Sequence, residues 1–316
     1  MPAFAECDKS RPVALVSGHP DKARQTAQHY GLNPGKIYNY DNFDRIKDDP
    51  DVQVVYIILP NHMHAEYTIR AAKAGKHVLC EKPMAVTVEE SQRMIDACKE
   101  AQRKLMIGYR LRYEPFNQSA IDIARKRKYG PIRSIEADNI QNVEAPNIRL
   151  SRATGGGPLG DVGVYCINAT RYLTGEEPIE VTAQMHQPSD DPRFEEVAES
   201  VVWTQKFASG IIANCSCGFA GHESRRYRVH CASGWFELDP AYPYQGLRMR
   251  ISDRSGVHEP QLPQVNHFAR EIDHFSECVL ENKDPWTPGA EGLADMRVIA
   301  AIQESIRSGS VAKVGA

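Results

Sequence analysis

The run VQVVYIIL (Val52–Leu59), broken by Pro60-Asn61 and followed at His77–Cys80 by HVLC, decides the fold. It is almost wholly apolar and rich in β-branched residues, without alternation, which marks a strand buried on both faces of a parallel sheet. Between the two runs, His62–Ala74 reads as a helix that stops at Gly75. Downstream, Thr87-Val88-Glu89-Glu90 is a capping box in which the threonine hydroxyl accepts from the Glu90 amide. The helix it opens carries Met94, Ile95, Cys98 and Ala101 on one side. Leu105–Tyr109 is a further strand. Upstream, Pro12–Val16 is a short strand ending in Ser17-Gly18, Asp21–Tyr30 a helix stopped by Gly31, and Ile37–Tyr40 another short strand. Strands alternating with helices of about a dozen residues define βαβ units. Residues 1–110 are therefore read as a Rossmann-type α/β domain.

After Arg110 the pattern changes. Pro115–Lys128 and Asp161–Leu173 have helical spacing. Ile132–Asn139, Ile179–His186, Ser200–Phe207, Ile211–Cys217, Arg226–Cys231, Trp235–Leu238 and Leu247–Ile251 read as short strands, mostly alternating. Such strands in succession predict an open antiparallel sheet with one covered face, so residues 111–316 form an α+β domain for substrate and oligomerisation. Two late helices follow, His267–Glu281 and Gly289–Arg307. The second carries a stripe of Leu293, Met296, Ile299, Ile302 and Ile306 that suits packing back on the first domain.

The first unit looks incomplete. A dinucleotide-binding domain opens with a strand, a glycine-rich turn and a helix whose N-terminus holds the pyrophosphate. No G-x-G-x-x-G lies near Met1, and Met1-Pro2-Ala3-Phe4 reads as the middle or end of a first helix. Either the natural protein is longer by about 30 residues, or the domain lacks the loop. The first reading is favoured because every later element is in place. Without the loop's backbone donors, the chain is expected to bind dinucleotide weakly.

Composition narrows the partners. A net charge of -3 argues against a nucleic-acid partner. The one basic run, Arg125–Lys128, suits the solvated C-terminal end of a helix. No apolar run approaches the roughly 18 residues of a membrane span. The first twelve residues lack the regions of a secretory signal. The eight cysteines form no C-x-x-C pair; Cys215 and Cys217 share a strand face as packing residues. A reduced compartment, the cytoplasm, is expected, with periplasmic export left open by the uncertain N-terminus. Neither His62 with His64 nor His267 with His274 has zinc-site spacing, so no metal is expected.

Three segments carry a resemblance: AGKHVLCEKPMA (Ala74–Ala85), LPNHMHAEYTIRA (Leu59–Ala71) and GGGPLGDVGVYCINATRYLTGEEP (Gly155–Pro178). They resemble the hallmark segments of the glucose–fructose oxidoreductase and inositol dehydrogenase family (Gfo/Idh/MocA). Glu81-Lys82-Pro83 alone would be weak, but its pairing with D-x-G-x-Y about 80 residues later is specific. The resemblance covers about Pro2–Val314 and is nearest the glucose–fructose oxidoreductase branch, in which a tyrosine, here Tyr165, replaces the usual histidine. It implies a Rossmann domain, a C-terminal open antiparallel sheet that joins a homodimer or homotetramer, and oxidation or reduction of a small sugar.

Oxidising a carbinol carbon needs a base for the hydroxyl proton and a nicotinamide for the hydride, with the protein supplying orientation and electrostatics. Asp161 and Tyr165 are four apart on the expected helix and share a face. Lys82 follows a parallel strand, where ligands collect. A free tyrosine has a pKa near 10, and a neighbouring ammonium favours its phenolate. The resemblance makes Tyr165 the acid/base, Lys82 its activator and a substrate ligand, and Asp161 an anchor for the sugar or for the other groups. It also places Leu59, Pro60, Asn61, His64, Glu81 and Lys82 along the cofactor groove, with Arg110, Arg112 and Tyr113 bordering nicotinamide and substrate and Tyr109 a candidate stacking partner. Arg149 and Arg152, before the Gly155-Gly156-Gly157 run, either bind cofactor or substrate or cap a loop.

The second strand carries no carboxylate at its end, where NAD binders usually place one for the ribose. Ser17, Gly18 and Lys22 match the branch's NADP-contacting segment, and Tyr40 flanks the expected adenine position. NADP is preferred over NAD. The main expectation is an NADP-dependent sugar oxidoreductase. The alternatives are a non-catalytic sugar-binding or regulatory relative and a reductase of dihydrodiols or ketosugars.

Overall fold

The computed structural model describes residues 1–315. Its first half contains β1 (Leu15–Val16), α1 (Pro20–His29), β2 (Ile37–Tyr38), β3 (Val54–Ile57), α2 (His64–Lys73), β4 (His77–Glu81), α3 (Val88–Glu100) and β5 (Leu105–Gly108). Every strand pair here is parallel: β1 with β2, β3 with β4 and β4 with β5. The capping box forms, with Thr87 Oγ1 accepting from Glu90 N at 3.1 Å. Buried β5 and the core of β4 have the uniform apolar character that parallel strands covered on both faces require.

The parallel layer is split. β1–β2 and β3–β4–β5 form separate sheets, and a cavity of about 2130 Å³ runs between them, lined by Ala14, Leu15 and Val16 on one side and Val54, Val55 and Ile57 on the other. The strands thus follow the 3-2-1-4-5-6 order of a doubly wound sheet with its central position open. This explains why β3, expected to be buried on both faces, has Val54, Val55 and Tyr56 only half-buried. Residues expected to belong to a first helix instead form a short 3-10 turn, Pro2–Glu6, beside the later helix α6. Asp8 N and Lys9 N donate to Asp273 on that helix.

The second half contains α4 (Pro115–Arg125), β6 (Ile132–Asn142), α5 (Val164–Thr174), β7 (Pro178–His186), β8 (Ser200–Phe207), β9 (Ile212–Gly218), β10 (Ala220–Cys231), β11 (Trp235–Leu238), β12 (Met249–Asp253), β13 (Gly256–His258), α6 (His267–Leu280), α7 (Gly289–Ser308) and β14 (Ala312–Lys313). One nine-stranded sheet has the order β13-β12-β11-β10-β6-β9-β8-β7-β14. It is mostly antiparallel, as expected, with one exception: β6 and β9 pair in parallel. The chain crosses over through α5 before β7, so β7 runs in the direction of β6, and two hairpins bring β9 in beside β6. Residue alternation reports the covered face of a strand and is silent about the direction of its neighbour.

Helix α7 contacts both halves, packing on α3 and β5 as well as on β7. Its Asp295 is 2.5 Å from Arg171 of α5, both side chains being almost fully buried, and Asn168 Nδ2 donates to the other Asp295 oxygen at 3.0 Å. Thr287 pairs with Ile107 through both an N–H and a hydroxyl bond, which covers the outer edge of β5. These contacts hold α5 against the C-terminal ends of the parallel strands.

Candidate active site

The ends of β3, β4 and β5 deliver Leu59-Pro60-Asn61, Glu81-Lys82-Pro83 and Tyr109-Arg110 to one region. Opposite them lie a π-turn, Leu159–Gly163, and the start of α5. The wide turn places Asp161 before the regular helix that carries Tyr165. Gly163 allows this segment to lie close to the sheet: a Cβ there would stand 3.0 Å from Cys217 Sγ and 3.2 Å from Leu159 Cδ1.

Lys82 joins the two halves. Its Nζ donates to the Asp161 carbonyl at 2.7 Å, lies 3.4 Å from Asp161 Oδ1, and sits 4.7 Å from the centroid of the Tyr165 ring. Burial opposes the charge on Lys82, but Tyr165, Asp161 and Glu81 outweigh it and hold the ammonium above the ordinary lysine value. Burial also opposes the charge on Asp161, yet Lys82 and Arg149 keep its carboxyl below the usual range. Arg149 Nε donates to Asp161 Oδ2 at 2.7 Å. The Tyr165 hydroxyl accepts from Arg110 Nη2 at 3.3 Å. Lys82 therefore faces the ring of Tyr165, and Arg110 reaches its oxygen.

Leu59, Pro60, Asn61, His64, Glu81, Lys82, Arg110, Asp161 and Tyr165 all line the cavity. Asn61 Nδ2 also donates to Gly155 O at 2.9 Å, tying the glycine run to the end of β3. Glu81 accepts from the Tyr56 hydroxyl at 2.7 Å.

Several of the expected ligands are held by protein partners. His64 is 1% exposed, with Nδ1 and Nε2 each 2.8 Å from a backbone carbonyl, of Pro83 and Leu59 respectively. Burial holds the ring below the ordinary histidine pKa, so the neutral imidazole donates to one of these carbonyls and only lies against the other. This histidine is packed between two strand ends. Tyr109, expected to stack on a cofactor, is buried and does not line the cavity; burial and then Asp295 push its phenol well above the ordinary value. Arg110 is 4% exposed and its guanidinium is turned toward Tyr165 and the Tyr242–Pro243 carbonyls. Arg112 pairs with Glu291 at 3.0 Å, and Tyr113 stacks on Trp286. Arg152 caps its loop through the Glu196 carbonyl.

Ser17, Gly18, Lys22 and Tyr40 gather at the end of β1 and do not line the cavity. Ser17 Oγ accepts from His19 N at 3.0 Å. Gly18 lies against the Tyr40 ring, where a Cβ would be 2.6 Å from Cε2. Lys22 is exposed. Sequence reasoning missed Tyr242, His267 and Glu271, which surround Arg110 from a loop and from α6. No motif marks them, because long-range folding brings them there.

The parallel strands and the mixed sheet are the two parts of an α/β oxidoreductase, and the cavity lies between them. The profile described as "Oxidoreductase family, NAD-binding Rossmann fold" matches residues 1–109, and the "GFO/IDH/MocA C-terminal domain" matches residues 118–237. The chain belongs to the Gfo/Idh/MocA oxidoreductase family.

Among its relatives, the crystal structure of aldose–aldose oxidoreductase from Caulobacter crescentus complexed with glycerol has a TM-score of 0.97 and 46% identity, covering 99% of this chain and 94% of that one. The NADP-dependent D-xylose 1-dehydrogenase of Haloarcula marismortui is 26% identical over 99% of this chain and 89% of its own length. A dTDP-3,4-didehydro-2,6-dideoxy-α-D-glucose 3-reductase of Actinomadura kijaniata is 26% identical over 97% of this chain and 91% of its own.

Because Asp161 is ionised more readily in the fold than in the unfolded chain, its contribution to stability is present above the ordinary aspartate pKa of about 3.9 and fades as pH falls through the lower folded value. Asp161→Asn is therefore expected to be less stable than the parent at neutral pH, the gap closing below about pH 4. Urea unfolding across this range checks it; a gap that is constant with pH would contradict the ion-pair assignment.

Proposed function

We propose that this chain is an NADP-dependent oxidoreductase acting on a sugar hydroxyl, an aldose or related polyol. The observation that carries the reading is Lys82 held between Asp161 and the Tyr165 ring at the ends of three parallel strands. Tyr165 takes the hydroxyl proton. Lys82 supplies fixed positive charge beside the phenol and a donor for the substrate oxygen. Asp161, anchored by Arg149, orients Lys82 and offers an acceptor to a neighbouring sugar hydroxyl.

The residues present fit the nicotinamide half of the cofactor: Leu59, Pro60, Asn61, Glu81 and Lys82 line the cavity beside Tyr165. Ser17 and Lys22 would serve a ribose phosphate. The pyrophosphate half lacks its usual cradle, since no glycine-rich turn at a helix N-terminus faces the cavity among the described residues. When bound, the nicotinamide would accept the hydride. NADP dependence in the xylose dehydrogenase supports the choice of cofactor. The same groups run in reverse would reduce a ketosugar, as the name of the Actinomadura relative describes for that protein.

All eight cysteines are free thiols, which supports a reducing compartment such as the cytoplasm. No helix among the described residues is long and apolar enough to cross a membrane. The face of the large sheet turned away from α5 exposes Val202 and Ile212, 57% and 43% accessible, and we assign it to a homodimer or homotetramer contact. Val202→Glu should then lower the solution mass measured by light scattering; a parent that is already monomeric would remove this assignment.

With aldoses supplied and NADP and NAD compared, nucleotide reduction is expected to favour NADP. Tyr165→Phe should lower turnover by about 10²–10⁴-fold while leaving NADP affinity, measured by calorimetry, nearly unchanged. Full turnover in the phenylalanine variant would remove Tyr165 from the proton-transfer role.

A further inference from the structure

We propose that Arg110 is a positioning residue for Tyr165: its guanidinium donates to the phenol oxygen, turns the phenol's own proton toward the cavity, and stabilises the oxygen when that proton has left. This rests on the proton-transfer role proposed for Tyr165 and adds a second cation to it.

The geometry is specific. Arg110 is 4% exposed. One terminal nitrogen donates to Tyr242 O at 2.6 Å and to the Tyr165 hydroxyl at 3.3 Å; the other donates to Pro243 O at 3.3 Å and lies 3.3 Å from His267 Nε2. The guanidinium carbon sits 4.6 Å from the Tyr244 ring centroid and 5.5 Å from that of Phe268. Two carbonyls and two aromatic faces thus fix the fork. A guanidinium stays protonated in proteins and has no acceptor, so Tyr165 can only accept from it. The phenol's hydrogen must point elsewhere, and Tyr165 lines the cavity.

The direct contacts of Arg110 are carbonyls, aromatic rings and His267 rather than a carboxylate. From α6, burial and then Arg110 itself push His267 down to about 3, so it is neutral at working pH. Glu271, fully buried, is pushed above the carboxylate range by burial and then by Glu81, against an opposing pull from Arg110. From the loop after β11 come the phenols Tyr242 and Tyr244. From β4 come Glu81, bonded to the Tyr56 hydroxyl, and Lys82, which is itself paired with Asp161. A charge in so dry a setting acts more strongly than one in water. Tyr165 therefore meets Lys82 over its ring and Arg110 at its oxygen. The donor set also gives the proton a direction, which Lys82 over the ring cannot do.

The test compares Arg110→Met and Arg110→Lys with the parent and with Tyr165→Phe, folding being checked by circular dichroism. In the NADP-supplied enzyme, Arg110→Met should lower kcat about 10²-fold, as loss of one aligned donor does, with sugar KM little changed; Arg110→Lys should recover part of it. In cofactor-free protein, the ultraviolet phenolate signal that Tyr165→Phe removes should develop at higher pH in Arg110→Met, and by a smaller displacement in Arg110→Lys. If Arg110→Met does not fold, Arg110→Lys alone decides by that displacement. A Tyr165-dependent signal at unchanged pH would make Arg110 a brace for the Tyr242–Pro243 loop and overturn the proposal. Full turnover in Tyr165→Phe would instead remove the base assignment on which it rests.

Discussion

A single buried ammonium holds this site together. Lys82 leaves the end of β4, crosses the cleft and bonds to both a backbone and a side-chain oxygen of Asp161 while lying over the Tyr165 ring. An ammonium with so little water must be compensated nearby, and the compensation comes from the other half of the molecule. The bond from Lys82 to Asp161 is thus also a bond between the two halves. Any change that moves α5 relative to β4 alters it.

Much of the remaining architecture preserves that distance. Arg171 and Asp295 fasten α5 to α7, and α7 lies along α3 and β5. His64 is packed between the Leu59 and Pro83 carbonyls at the ends of β3 and β4, with its one N–H donated to one of them. Asn61 ties the glycine run to β3, and Arg149 restrains Asp161 from the same strap. Between β1 and β3 the frame is open, and two strand edges face the cavity. Lys82 and Arg110 come from the ends of β4 and β5, while the edge of β3 borders the same cavity.

The parallel layer was legible because Val52–Leu59 and His77–Cys80 are uniform apolar runs punctuated by Pro60 and Gly75, a pattern that local physics makes nearly unambiguous. Lys82, Asp161 and Tyr165 were legible because two segments with a fixed separation resembled a family. The parallel pairing of β6 and β9 was not, since alternation records only which face is covered. Arg110 showed as a charge after a strand, without showing that it turns away from solvent toward Tyr165. The resemblance placed His64 along the cofactor groove, but its position against the Leu59 and Pro83 carbonyls depends on the return of the chain at Pro83. Glu271 and His267, some 160 residues from Arg110 in sequence, left no local signal.

The most direct test is a double-mutant cycle on turnover with Lys82→Met, Tyr165→Phe and the pair, measured with NADP and sugar at saturation. If the ammonium acts through the phenol, the double variant should be about as slow as the slower single variant, because groups that work as one unit are strongly non-additive. Independent effects that multiply in the double variant would contradict the account.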